Sequence, residues 1–205
     1  MNELEQLMLL LASNGITVIH NVYRYGSTVY GTASEQSDTD YIVVASDEYQ
    51  YVQLQAPMID VTVYGETDFK RALFCHDVTA VECVMLPYRH VLKQTIIFDF
   101  EPDTRMLRES FSAKASNSFV KAKKKLTVPA DYAPHTARKS LFHSLRIIDF
   151  GIQLAMVGTI DFDSVQHYWQ SISRHPADTG WEIYKAEFQP IYNGLKSTFR
   201  IITNA

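Results

Sequence analysis

Two carboxylates on alternate residues, Asp38 and Asp40, lead straight into the apolar run Tyr41-Ile42-Val43-Val44. A Val- and Ile-rich run of this kind reads as a buried strand, expected here over 38–45. Side chains alternate faces along a strand, so Asp38 and Asp40 point the same way. The alternative, turn or edge-strand residues facing solvent, fits poorly with so apolar a continuation. Two like charges this close need a counter-charge. The usual one is a divalent cation such as Mg²⁺, held beside a substrate phosphate. Just upstream, Gly26-Ser27-Thr28-Val29-Tyr30-Gly31 supplies a turn. Glycine at 26 can take positive φ and let backbone amides approach a phosphate, and Ser27 can add its hydroxyl. Alone, Gly-Ser is an ordinary turn; ahead of Asp38 and Asp40 it gains a chemical role.

A third carboxylate has a similar setting. Met58 to Tyr64 reads as another strand, with Asp60 in its middle between apolar neighbours. A carboxylate in a buried strand needs a partner or a metal, unless it caps a loop at the strand end. Asp47 and Asp68 fall in an expected loop and helix start and are poorer candidates.

The string Tyr-Gly-Ser-x-x-Tyr-Gly-x-x-x-x-x-Ser-Asp-x-Asp-Tyr, Tyr25 to Tyr41, followed by Asp60 on a later strand, resembles the DNA polymerase β-like nucleotidyltransferase superfamily. Within it, the string is similar to the predicted nucleotidyltransferases associated with RNA ligases and RNA repair. The motif match covers residues 25–44 and extends, more thinly, to about residue 90. The resemblance implies an α+β fold: a polymerase β-like catalytic domain with a small mixed sheet over 1–100, then a helical bundle domain over 101–205. It implies a Mg²⁺-dependent enzyme that moves a nucleoside monophosphate from a nucleoside triphosphate to a hydroxyl or phosphate acceptor, releasing pyrophosphate. Asp38 and Asp40 then bridge two Mg²⁺ ions, or Mn²⁺ in their place. Asp60 completes the ion nearer the attacking hydroxyl and acts as general base. Gly26 and Ser27 grip the β/γ-phosphates. The implied acceptor is an RNA end, tRNA-like. Two alternatives stay open: nucleotidylation of a protein, as in antitoxin-type members, and a non-catalytic nucleotide- or RNA-binding module.

The rest of the chain frames this stretch. Residues 2–14 read as a helix with a capping box at Asn2 and Glu5, closed by Gly15, and 16–25 as a strand. Residues 46–57 read as loop or irregular helix. Short helices are expected over 67–75 and 77–86, with Glu82 read as a structural residue bonding backbone near the site and, as the alternative, a catalytic one. A strand or extended crossover over 93–100 closes the first domain.

From Pro102 the pattern becomes helical. A helix over 103–126 ends in Lys121-Ala122-Lys123-Lys124-Lys125, and Pro129 and Pro134 mark a break before a helix from Thr136. On that helix Leu141, Leu145, Ile148 and Ile152 share one face, and Lys139, His143 and Arg146 the opposite one. The polar face is either solvated or a basic wall for triphosphate or nucleic-acid phosphate. The resemblance includes a basic, histidine-bearing helix here. Lys114, Lys121, Lys123, Lys124 and Lys125 form a further basic cluster, either solvated surface or a place for an RNA backbone. Two last helices, 163–175 and 181–203, complete the chain; Pro190 is expected to kink or split the second. Trp181, Tyr184, Phe188, Ile191, Leu195 and Ile202 recur along it at helical spacing.

Composition sets the bounds. A net charge of -4 excludes blanket nucleic-acid affinity, so any such site must be local. No apolar run approaches the roughly 20 residues of a membrane span, and no membrane partner is expected. The short run Leu7 to Leu11 has no basic leader and does not read as a signal peptide. Cys75 and Cys83 lack metal-ligand spacing and fit buried thiols in a reducing cytoplasm.

Overall fold

In the computed structural model, which describes residues 2–204, Asn2 caps α1 (Glu3–Ser13) through the expected capping box: its side chain accepts from Glu5 N at 2.8 Å, and Glu5 accepts from Asn2 N at 2.9 Å. The chain forms two compact units. One is Met1–Phe74 with Thr79–Phe100; the other is Cys75–Val78 with Glu101–Ala205.

The first unit continues with β1 (Ile19–Tyr25), α2 (Ser27–Tyr30), β2 (Thr39–Ala45), β3 (Val52–Ala56), β4 (Ile59–Gly65), α3 (Glu66–Phe74), α4 (Val78–Val84) and β5 (Val91–Gln94). The five strands form one mixed sheet in the order β3-β4-β2-β1-β5. Only β2 and β4 run parallel; the other neighbours are antiparallel. One face of the sheet, with Tyr41, Val43, Ala45, Val61 and Val63, packs on Leu7 and Leu11 of α1 in a single apolar core. On the other face Tyr23 stacks on Phe69 of α3, ring centroids 6.2 Å apart. Alternation along β2 therefore puts Asp40 on the face of Tyr23 and away from the α1 core.

Two strands differ from the sequence expectation. The segment 46–57, expected as loop or irregular helix, holds the edge strand β3. Half-buried Val52, Leu54 and Ala56 alternate there with exposed Gln53 and Gln55. Its hairpin turn places Met58 at φ 62°, a conformation usually signalled by Gly or Asn. The last strand is 91–94, not 93–100. Asn21, fully buried, ends it: its Oδ1 accepts from Thr95 N and Ile96 N at 3.0 Å each, and its Nδ2 donates to Ile96 O at 2.8 Å.

The second unit is helical: α5 (Thr104–Thr127), α6 (Pro134–Val157), α7 (Gln166–Ser173) and α8 (Trp181–Thr203). Helix α6 begins at Pro134 rather than after it, because the first turn of a helix needs no N–H from its opening residue. Helix α8 runs unsplit through Pro190. Its buried stripe is Trp181, Tyr184, Phe188, Tyr192 and Phe199, while Ile191 is exposed. Gly151 of α6 sits where helices meet: a Cβ there would lie 2.7 Å from Phe199 Cζ and 3.2 Å from Phe111 Cδ1. Helix α6 is long and apolar enough to cross a membrane by composition, but 61% of that window is buried inside the protein, as in the core helix of a bundle. Of the two cysteines only Cys83 is buried; Cys75 is exposed, against expectation.

Candidate functional site

Strand register assembles the carboxylates. Asp40 of β2 is the in-register partner of Asp60 on parallel β4, and of Tyr25 on antiparallel β1. Gln55 of β3 is in turn the partner of Asp60. In-register neighbours of a sheet project to the same face, so Gln55, Asp60, Asp40 and Tyr25 form one row across four strands. Asp40 and Asp60 are both half-buried. Asp38 lies one residue ahead of the strand, exposed, two positions from Asp40.

Gly26 closes the row at β1. It has φ 67° and ψ -142°, a backbone conformation essentially restricted to glycine. A Cβ there would fall 1.9 Å from Asp40 Oδ2 and 2.7 Å from its Cγ. Glycine is thus required twice, for its dihedrals and for the space the Asp40 carboxylate occupies. The turn continues into α2, where Val29 N and Tyr30 N donate to Gly26 O at 3.0 and 3.3 Å. Ser27, half-buried, opens this turn directly after the glycine.

The structure adds residues that the sequence reading did not single out. Tyr25 and Tyr30 flank the Gly26-Ser27 turn, and both phenols donate to Glu82 Oε2, at 2.7 and 2.5 Å. Glu82, on α4, is fully buried. Tyrosine hydroxyls hold its side chain, partners that the sequence reading did not name. The two rings meet edge to face at 5.9 Å. The available signal was the pair of tyrosines bracketing the glycine-serine turn, since a buried phenol needs an acceptor.

The remaining candidates belong to the helical unit. Arg146 is buried, and its Nε donates to His143 Nδ1 at 2.8 Å. The guanidinium also lies 5.5 Å from the centroid of the Phe150 ring. The His143 pKa is held well below 6.5, chiefly by burial and then by the positive charges of Arg146, Lys139, Lys121 and Lys114. The imidazole is therefore neutral near pH 7. Its Nδ1 accepts from arginine, which puts the ring proton on Nε2. Lys139, His143 and Arg146 do share one face, but Arg146 is buried, so this face is not the ordinary solvated side of an amphipathic helix. The lysine run divides. Lys125 and Lys124 both pair with Asp131, the latter at 3.4 Å, while Lys121 and Lys123 stay exposed.

The donor set suits a hard cation. Carboxylates directly opposite one another on adjacent strands repel unless a positive charge lies between them. No three His, Cys, Asp or Glu side chains already converge into a metal-binding group among the described residues. Mg²⁺ does not require such a cage: it is commonly held by one or two carboxylates together with substrate phosphates and water. Asp40 and Asp60, with Asp38 beside them, fit that mode.

No protein-family model and no curated protein sequence matches the chain. Among solved structures it is similar to spectinomycin adenyltransferase from Enterococcus faecialis, solved with ATP and spectinomycin. The two share 10% identity over 96% of this chain and 98% of that one, with a TM-score of 0.51. It is also similar to a nucleotidyltransferase-like protein from Exiguobacterium sibiricum, at 13% identity over 96% of this chain and 74% of that one, with a TM-score of 0.35. The fold of the chain is accordingly the α+β nucleotidyltransferase fold, with a small mixed sheet and a helical C-terminal part.

Proposed function

We propose that the protein is a nucleotidyltransferase that moves a nucleoside monophosphate from a nucleoside triphosphate to an RNA end and releases pyrophosphate. The observation that carries this reading is the in-register pair Asp40 and Asp60, with Gly26 pressed against the Asp40 carboxylate. Asp38, Asp40 and Asp60 hold Mg²⁺, or Mn²⁺ in its place. When bound, the metal neutralises triphosphate charge and aligns the α-phosphate with the attacking group. Gly26 and Ser27 seat the β/γ-phosphates: the first amides of a helical turn have no intrahelical acceptor, and the Ser27 hydroxyl adds a donor.

In the transfer, an acceptor hydroxyl oxygen attacks the α-phosphorus. The new O–P bond forms as the bond to the β-phosphate oxygen breaks, and the hydroxyl proton passes to the Asp60 carboxylate. The leaving pyrophosphate carries the electron pair and negative charge. Lys139, His143 and Arg146 are the proposed phosphate contacts of the helical unit. Support for them is their shared face on α6, where Arg146 Nε lies 2.8 Å from His143 Nδ1. Lys121 and Lys123, with Lys124 and Lys125 in reserve behind Asp131, are the proposed RNA contacts on α5.

A second reading gives the same chemistry a small-molecule hydroxyl as acceptor. It is favoured by the likeness in fold, along nearly the whole chain, to an adenyltransferase solved with ATP and spectinomycin. The test is incubation with Mg²⁺ and each α-³²P nucleoside triphosphate, offered total RNA, cell lysate and an aminocyclitol panel. Label in a discrete RNA band, lost in Asp38→Asn and Asp60→Asn, is the expected result. Label on a small molecule or a protein moves the acceptor accordingly. Unchanged transfer in both variants would overturn the site itself.

A further inference from the structure

A second charged feature lies within the helical unit. Arg108, Glu109 and Ser112 of α5 and Asn193, Lys196, Ser197 and Arg200 of α8, with Asn204 at its C-cap, line a groove of about 650 Å³. The α8 residues recur at three- and four-residue steps, so they form one continuous polar stripe along the helix. The stripe spans about 16 Å from Asn193 to Asn204 at the helical rise. Two of the three cations are already oriented. Arg108 Nη1 donates to the Asn204 side-chain oxygen, and the Lys196 ammonium lies 5.3 Å from the centroid of the Tyr192 ring. Among the described residues none of Arg108, Lys196 and Arg200 pairs with a carboxylate, whereas Glu109, the one acid of the groove, is bridged to Arg105 at 3.2 Å.

The charge of the chain is divided in the same sense. The helical unit carries 14 Lys and Arg against 11 Asp and Glu, a net of +3, and the sheet unit 5 against 12, a net of -7. A sharp asymmetry of this kind, in a chain acidic overall, points the basic part at a polyanion.

Resting on the RNA-acceptor reading above, we infer that the α5–α8 groove holds the sugar-phosphate backbone of an RNA strand. The cations and the Ser and Asn donors are spread along the groove rather than gathered at one point. That matches a row of phosphates better than a single anion. Guanidinium groups take phosphate oxygens in pairs, and Arg108 and Arg200 stand on opposite walls. No base need be read, so binding here is insensitive to RNA sequence.

The experiment is fluorescence anisotropy of the full chain with a labelled single-stranded RNA oligonucleotide over a salt series. Lys196→Ala/Arg200→Ala is compared with Lys121→Ala/Lys123→Ala, with folding of each checked by circular dichroism. The expected result is affinity that falls linearly with salt on logarithmic axes. In Lys196→Ala/Arg200→Ala it weakens at least about tenfold at low salt, and the slope becomes shallower by about 1.4, for two lost single-strand phosphate contacts. Wild-type binding and slope in that variant would overturn the groove. If Lys121→Ala/Lys123→Ala alone loses affinity, the RNA reading stands and the groove falls. If inorganic phosphate or ATP, at matched ionic strength, displaces the groove-dependent RNA signal, the groove is a small-anion site and the inference is wrong. If no salt-dependent RNA binding is seen, both fall.

Discussion

Gly26 and Asp40 occupy each other's space: the position of a Cβ on residue 26 is filled by the Asp40 carboxylate, 1.9 Å away. The Gly26-Ser27 turn and the strand that carries Asp40 are therefore fitted as one piece. Gly26→Ala meets two penalties, a backbone conformation disfavoured for an L-residue by about 1–3 kcal/mol and displacement of Asp40. Thermal unfolding should show the stability loss, and nucleotide transfer should fall at least about a hundredfold. Adding Asp40→Ala should recover part of the stability and none of the activity, because the clash is relieved while the acid is gone.

Glu82 joins the two tyrosines around that turn. Glu82→Gln keeps one acceptor but turns an N–H group into the same buried space, so about 1–3 kcal/mol of stability should be lost. Glu82→Ala should cost more, since two phenols lose a carboxylate acceptor and a cavity opens. Tyr25→Phe is expected to affect transfer more than Tyr30→Phe, because Tyr25 neighbours Asp40 in register. Steady-state kinetics beside urea titration would separate the two effects; equal kinetic losses would count against a special place for Tyr25.

His143 gives the helical unit a pH dependence of definite sign. Its folded pKa is depressed below the ordinary 6.5, first by burial and then by Arg146, Lys139, Lys121 and Lys114. Below 6.5 the unfolded chain binds a proton that the folded chain refuses, so this contribution to stability is lost as pH falls. The slope is limited to about 1.4 kcal/mol per pH unit for one proton. Urea unfolding between about pH 7 and pH 5 should show this acid-side decline in wild type and a shallower one in His143→Gln. Identical pH profiles would remove His143 as the source.

Gly151 sets two effects against each other. Alanine in a helix interior gains about 1 kcal/mol over glycine. Here the added methyl lies 2.7 Å from the Phe199 ring, and the ring is buried. Overpacking of a filled core costs about 1–3 kcal/mol. Gly151→Ala should therefore lower the unfolding midpoint; a raised midpoint would show that the Phe199 ring can move aside.

The local pattern was legible in the residues themselves. Asp38, Asp40 and Asp60 stand out because carboxylates beside apolar strand residues conflict with simple burial, and the capping box at Asn2 is a purely local pattern. Helix boundaries came close for the same reason, since caps and 3.6-residue periodicity act over a few residues. Edge strand β3 was also present as the alternation of Val52, Leu54 and Ala56, but its turn at Met58 lacks the usual residue signal. What tertiary structure alone decided is partnership. Register between β2 and β4 put Asp40 beside Asp60, residues distant in the chain, and the fold brought Glu82 under Tyr25 and Tyr30. It also buried Arg146 against His143 on a face that periodicity alone leaves open to water. These pairings depend on strand order and helix packing, which are set by the summed burial of the whole core rather than by any short stretch of sequence.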